Sequence, residues 1–457
     1  MDNIVLFGAT GFLGMHLLYD LFVRNNNDIV YCIVREKNIE RAQKKLLNIF
    51  HQYFDHSFDE AISSQVKVVV GDLCKEHFGM SDEDYYNLEK VASKVIHCGA
   101  VVKHFGKKND FYQVNVLGTS KVVEFCQEAN AYLLYISSIA VIERMSPDGK
   151  CEYREPNLSD EYAKSKIKAE EMIIECKEKG LRSSIIRVGS LAGRYIDGGF
   201  QLNIEDNSLY AKLKTIIQSG YLPSSMLKKE IEFLPVDECA KALNYTLKAE
   251  KEGIYLFYNY NTITYAELAC HLSELGYSVQ IKEYKDFISY LNEVSKFGLD
   301  REALAGFYLS ARRKHKKEYY YEQTLGYLRE IPFDWPVISK EYIKKVLQYM
   351  KKVNYLEVSM KNYISQNPCK VYFGESVVQY LPEEICKLGS KVLLVYGENS
   401  IKVNGIYLQI IRQLEEKKID YCEYSGVKAN PTIELVEKGV EACRSYGADV
   451  ILAVGGG

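Results

Sequence analysis

The sequence predicts an α/β protein built on a doubly wound parallel sheet, and three observations carry that prediction. Short β-branched runs alternate with helical stretches through roughly the first 190 residues. A glycine-rich turn, Gly8-Ala9-Thr10-Gly11-Phe12-Leu13-Gly14, follows the first run directly and opens a helical segment. The texture then resets near residue 358, where a fresh set of alternating elements begins.

Residues 4–7 read as the first strand, 12–24 as a helix, 29–34 as the second strand and 39–51 as a basic helix. Residues 66–70, 95–97, 133–137 and 184–188 supply further strands. From about Gly189 the order is less regular and mostly helical. That predicts a substrate cap, mainly over 195–335, at the sheet's carboxyl edge, where ligands of open α/β folds sit. A Lys/Tyr-rich helical stretch over 339–357 follows. Beyond it, 370–374, 391–397, 420–424 and 450–454 read as strands, and 406–418 and 432–445 as helices. The expected organisation is a first domain over 1–357, with its core over about 1–190 plus returning segments, and an incomplete nucleotide-binding-like α/β domain over 358–457.

Composition excludes several classes. Of 457 residues, 47% are hydrophobic and 26% charged, the balance of a folded protein. Lys and Arg total 58 against 61 Asp and Glu, a net charge of -3, so the whole chain makes no electrostatic case for nucleic acid or an anionic membrane. No apolar run reaches the ~18 residues of a membrane span. The first residues lack a basic leader region and already read as strand and turn, so a cytoplasmic location is expected. The 12 cysteines include no CxxC pair, the closest two being Cys369 and Cys386. Reduced core thiols fit that spacing better than zinc knuckles. The 37 tyrosines read as compositional bias.

The glycine turn is the first site signal. Gly8 allows a tight turn, Gly11 lets backbone approach a pyrophosphate, and Gly14 lets helix and strand pack closely. With Thr10, Phe12 and Leu13, these residues place unpaired N–H groups and the helix's positive end at the phosphates, the signature of a Rossmann-type dinucleotide site. The second strand ends in Ile33-Val34-Arg35. An acidic residue there would accept from a ribose 2′-OH, whereas arginine suits a 2′-phosphate, with Lys45 ten residues on as a second cation. The cofactor predicted is NADPH. Gly71-Asp72-Leu73, after the third strand, puts a carboxylate near the adenine amine, although Asp72 reads equally well as a turn cap.

The second signal is Tyr162-Ala163-Lys164-Ser165-Lys166, a phenol and an ammonium four apart and so on one helix face. A tyrosine with a pKa near 10 is a poor acid–base catalyst at neutral pH, and a neighbouring cation brings it toward the working range. In a tyrosine-rich chain the pair alone means little. Its weight comes from following Tyr135-Ile136-Ser137-Ser138, a strand tip that delivers a hydroxyl to the same sheet edge.

The glycine turn, Asn115 in Asn115-Val116-Leu117-Gly118-Thr119, Ser138 and the Tyr162/Lys166 pair together resemble the extended short-chain dehydrogenase/reductase family. Several motifs resemble its thioester reductase branch, the type that ends nonribosomal peptide synthetases and carboxylic acid reductases. They are Val95-Ile96-His97-Cys98-Gly99-Ala100 with Val102-Lys103-His104-Phe105-Gly106, Ile186-Arg187-Val188-Gly189-Ser190-Leu191-Ala192-Gly193-Arg194, Phe233-Leu234-Pro235-Val236-Asp237 and Phe333-Asp334-Trp335-Pro336. Gly99 and Ser190 depart from the branch's usual alanine and asparagine. The resemblance implies reduction of an acyl thioester to an aldehyde, possible further reduction to the alcohol, and no metal. Ser138 and Tyr162 would face the oxyanion, Tyr162 would supply the proton, and Lys166 would hold the nicotinamide ribose. Leu73, Gly99, Ala100, Asn115 and Val188 would line the cofactor. The acyl group would arrive on a phosphopantetheine carrier protein docking in trans, or on coenzyme A. The basic run Arg312-Arg313-Lys314-His315-Lys316-Lys317 is a candidate dock, or simply a solvated face.

Residues 360–457 instead resemble the opening of iron-containing alcohol dehydrogenases of the butanol type, through Lys370-Val371-Tyr372-Phe373-Gly374, Lys391-Val392-Leu393-Leu394-Val395-Tyr396-Gly397, Asn430-Pro431 and the closing Gly455-Gly456-Gly457. That family holds its metal with one aspartate and three histidines in a later domain. The last histidine here is His315, so no iron or zinc site and no alcohol dehydrogenase activity are expected. The expectation is a fragment of a longer fusion whose last strand lacks a covering helix. Two other readings of the first domain stay open: a nucleotide-sugar epimerase or dehydratase, and a non-catalytic NADP-binding scaffold or sensor.

Overall fold

The computed structural model describes residues 2–455 apart from 25–27, 103–107, 146–150, 154–160, 295–321, 357–362, 367–369, 374–375, 398–399, 404 and 428–430. The chain divides into two compact units, Met1–Glu357 and Val358–Gly457.

The first unit is built on a seven-stranded parallel sheet. Its strands are β1 (Asn3–Phe7), β2 (Ile29–Val34), β3 (Val66–Val70), β4 (Lys94–His97), β5 (Tyr132–Ser138), β6 (Ser183–Val188) and β7 (Gly253–Phe257). Their order is β7-β6-β5-β4-β1-β2-β3. From β1 the chain winds outward through β2 and β3, then returns to β4 and winds the other way. The reversal between β1 and β4 opens a crevice at their carboxyl ends.

β1 is apolar without alternation because both of its faces are covered. Ile4 and Leu6 pack with Leu17, Leu18 and Leu21 of α1 (Phe12–Arg24). Val5 and Phe7 pack on the other face with Val122 and Phe125 of α4 (Gly118–Glu128) and Ile173 of α5 (Glu161–Glu178). Between β2 and β3 lie α2 (Ile39–Tyr53) and α3 (Asp59–Gln65).

The sheet recruits its last strand, β7, from residues 253–257, far along the chain from β6. Gly-Ile-Tyr-Leu-Phe lies beyond the regular alternation of the first 190 residues, and it joins the sheet by pairing with β6 from Gly253↔Ser184 to Phe257↔Val188. The cap also holds short ladders, including Leu191–Ala192 beside Leu234–Pro235.

Several tyrosines serve backbone groups. The Tyr210 hydroxyl accepts the Gly193 N–H at 2.8 Å, Tyr342 donates to the Gly193 carbonyl at 2.7 Å, and Tyr349 donates to Phe200 O at 2.8 Å. Such bonds hold the irregular 193–200 loop, which has no ladder of its own.

The second unit is smaller. Lys391–Tyr396 lies between Asp420–Tyr424 and Val450–Val454 in a parallel sheet. Val392, Leu394, Ile410 and Leu414 are buried on one side, whereas Ile433, Val436 and Ile451 stay exposed at 75%, 53% and 64%. Among the described residues, no helix of either unit is long and apolar enough to cross a membrane.

Candidate active site

The crevice begins with the glycine turn. Gly8 has φ +86°, and a Cβ there would lie 2.7 Å from Gly99 N; at Gly14 a Cβ would lie 2.2 Å from the Gly8 carbonyl oxygen. Both positions therefore require glycine. The register Phe7↔His97 brings Gly8 and Cys98–Gly99 out side by side at the switch point. Leu73 closes on Gly99 and Gly118 from the next layer. These features form a backbone cradle of the kind that accepts a dinucleotide pyrophosphate.

At the tip of β2, Arg35 is exposed, and no described residue forms an ion pair with its guanidinium. Lys45 donates to Glu36 Oε1 and to the Arg35 carbonyl, both at 3.1 Å, so Glu36 is neutralised by Lys45 and not by Arg35. Asp72 accepts the Cys74 N–H at 3.0 Å, which makes it a turn residue first.

The Tyr162/Lys166 pair sits on the first turns of α5. Lys166 is 4% exposed and donates to the carbonyl oxygen of Ile136 at 2.8 Å and to the Tyr135 hydroxyl at 3.3 Å. Burial lowers its pKa to about 8, against an opposing pull from Glu170. Tyr162, one turn earlier, is half-buried; burial raises the pKa of Tyr135, and the charges of Glu170 and of the Tyr162 phenol add to that rise. Ser138 ends β5 opposite Val188 of β6, and its hydroxyl accepts the Ala140 N–H at 3.1 Å.

Asn115 lies in a π-helical turn, Tyr112–Leu117, that runs into α4. Its side chain accepts the Val101 N–H at 2.8 Å and donates to Val101 O at 3.1 Å and to Ser165 Oγ at 2.9 Å. Ser165 in turn donates to the Tyr162 carbonyl at 2.7 Å. Asn115 is therefore a strut between the loop after β4 and the turn that carries Tyr162. Ala100 and Val101 belong to that loop; Lys103, His104, Phe105 and Gly106 lie outside the described residues, as does the basic run 312–317.

Three groups that sequence reasoning missed support this edge. His97 is buried, its pKa lowered to about 3 first by burial and then by the Lys166 charge. Its Nε2 meets Thr119 Oγ1 at 3.1 Å; because Thr119 donates to Asn115 O at 2.7 Å, the imidazole carries its proton on Nε2. Glu170, one turn beyond Lys166, is fully buried against Arg187, with Nη2 to Oε2 at 2.7 Å, and it accepts from Ser137. The spacing Tyr162, Lys166, Glu170 was the available signal. Glu232 is the third: one carboxylate oxygen accepts the Ser190 N–H at 2.8 Å, the other the Asn259 N–H at 3.1 Å. Burial raises its pKa to about 8 against those two bonds. It touches Gly189, where a Cβ would lie 2.0 Å from its Oε1, immediately after Val188.

The family model described as male sterility protein matches residues 6–243, just over half the chain. The chain belongs to the male sterility protein family. Among its relatives, a linear gramicidin synthase of Brevibacillus parabrevis is 25% identical over 371 residues, 78% of this chain and 7% of that protein. L-2-aminoadipate reductase of Saccharomyces cerevisiae is 28% identical over 307 residues, 62% of this chain and 22% of that one. The chain thus spans less than a quarter of the length of these curated relatives. A solved thiolation-reductase di-domain from an archaeal nonribosomal peptide synthetase shares 28% identity at TM-score 0.67, covering 78% of this chain and 76% of that one. This male sterility family member also carries a second match: the iron-containing alcohol dehydrogenase model covers residues 368–457. An NADH-dependent butanol dehydrogenase of Clostridium acetobutylicum is 50% identical over 90 residues, 20% of this chain and 23% of that protein. Residues 368–457 include no histidine, so they do not supply an imidazole donor set for iron, and no metal-dependent step is assigned to them.

Proposed function

We propose that residues 1–357 reduce an acyl thioester to an aldehyde at the expense of NADPH, the acyl group arriving on a phosphopantetheine carrier in trans or on coenzyme A. The single observation that carries this reading is the convergence at one sheet edge: Lys166 bonded to Ile136 O at 2.8 Å, Tyr162 one turn away, and the Gly8–Gly14 cradle across the switch point.

The cradle fits a dinucleotide because its glycines pack backbone tightly at the start of α1, leaving main-chain N–H groups to meet phosphates. Arg35 would meet a 2′-phosphate, with Glu36 already neutralised by Lys45. When bound, a reduced nicotinamide supplies the hydride. The protein's part is positional and electrostatic. Ser138 and Tyr162 offer hydroxyl hydrogens to the thioester carbonyl oxygen as it gains charge. Tyr162 delivers the proton. Lys166, charged and desolvated, stabilises the resulting phenolate; its bonds to Ile136 O and Tyr135 leave a third N–H for the ribose. Collapse of the hemithioacetal releases the free thiol and the aldehyde. Glu170, Arg187 and Asn115 hold α5 in register without touching substrate.

The test is a panel of acyl-CoA and acyl-carrier thioesters mixed with NADPH or NADH, following loss of the reduced nicotinamide band. NADPH oxidation with at least one thioester supports the reading. Tightly retained NAD with no net oxidation points to an epimerase or dehydratase, and binding without turnover to a sensor.

A further inference from the structure

Outside this edge, the described residues include one group of ligand-type side chains assembled by the fold. α2 ends just beyond His51. Asp55 then caps a single 3-10 turn, His56–Phe58, accepting the Ser57 N–H at 2.9 Å, and Asp59 opens α3. This reversal brings two imidazoles together, tilted by 47° with ring centroids 3.9 Å apart. His51 Nε2 lies 2.7 Å from Asp59 Oδ1, and His56 Nδ1 lies 3.2 Å from Asp59 Oδ2. All three donor atoms fall within 4.8 Å of one another. His51 is further held edge-on by Phe50, at 6.2 Å and 79°.

We propose that His51, His56 and Asp59 bind one divalent transition-metal ion of the zinc type, with water completing its coordination. Two imidazole nitrogens and one carboxylate oxygen select borderline ions such as zinc, cobalt or nickel over magnesium and calcium. Metal–ligand bonds of about 2.0–2.2 Å need donor atoms about 3.3–3.5 Å apart, within small side-chain rotations of the observed spacing. Asp55 adds negative charge beside His56. The ion clips the end of α2 to the start of α3. Because α3 runs straight into β3, the clip fixes the strand that leads to Asp72.

The test uses the full chain after chelator treatment, with cobalt(II) as the spectroscopic probe and zinc as competitor. The chain's 12 cysteines are the rival ligands, and thiolate–cobalt charge-transfer absorption identifies them. The expected result is one equivalent of cobalt with d–d bands and no thiolate band, displaced by zinc, and a zinc-dependent rise in melting temperature. His56→Gln, at a side chain 76% exposed and so without consequence for folding, should weaken binding at least about tenfold and abolish the thermal shift. Equal binding by His56→Gln, a thiolate band on the bound cobalt, or no uptake by the wild-type chain would overturn the proposal.

Discussion

Lys166 donates to the carbonyl oxygen of Ile136 at 2.8 Å, joining the helix that carries Tyr162 to the strand that ends in Ser138. The placement of Tyr162 and Ser138 therefore depends on one buried ammonium, whose pKa burial brings down to about 8.

That ammonium sets an alkaline limit. The charged form is the useful one, so kcat/KM, which reports the free enzyme, should fall as pH rises through about 8. Lys166→Arg, which cannot lose its charge in this range, should move that limb upward even if the maximum rate drops. The stability sign is opposite. The folded pKa lies below the ordinary lysine value of 10.5, so between about 8 and 10.5 the unfolded chain binds the extra proton and stability from this group grows with pH. Urea unfolding at pH 7 and pH 10 should show this gain in the wild type and not in Lys166→Met.

Arg35 should decide between the two nicotinamide nucleotides. Removing a charge-assisted contact costs about 1.5–3 kcal/mol, so Arg35→Ala should raise KM for NADPH about 10- to 100-fold and leave KM for NADH unchanged. Initial rates at varied nucleotide concentration check this.

Gly14→Ala puts a methyl group 2.2 Å from the Gly8 carbonyl oxygen. Backbone must move, at a cost of about 1–3 kcal/mol. The variant should melt at lower temperature and lose nucleotide affinity, while Gly180→Ala, where a Cβ meets nothing within 4 Å but φ is +102°, should lose stability alone. Differential scanning calorimetry with nucleotide titration separates the two.

Glu232→Gln leaves one acceptor where two N–H groups converge, so it should cost about 1–3 kcal/mol. The Glu232 pKa is raised from 4.5 to about 8, so the wild type's stability from this group declines as pH climbs across that interval. The gap between wild type and variant in chemical denaturation should narrow from pH 6 to pH 9.

What the sequence revealed and what it concealed follow physical lines. The Gly8–Gly14 turn and the buried strands were legible because their signals are local: positive φ, close approach and continuous apolar runs leave marks within a few residues. β7 was not, since it lies beyond the regular strand–helix alternation and its place in the sheet is set only by pairing with the distant β6. Tyr162 and Lys166 were legible as a spacing on one helix. Glu170 repeats that spacing, but its meaning depends on a partner, Arg187, that is distant in sequence. Glu232 left no mark at all, because its role arises where the ends of β6 and β7 meet. Asn115 stood out, yet its bonds to Val101 and Ser165 show a supporting position that a motif cannot specify.

The most direct test counts products. Wild-type protein, NADPH and a reactive acyl thioester should release free thiol and oxidised nucleotide one for one while aldehyde accumulates, or one thiol per two oxidised nucleotides if reduction continues to alcohol. Tyr162→Phe should slow both signals together by about 100- to 10,000-fold with nucleotide binding intact. Thiol release without nucleotide oxidation, or full activity in Tyr162→Phe, would contradict the account.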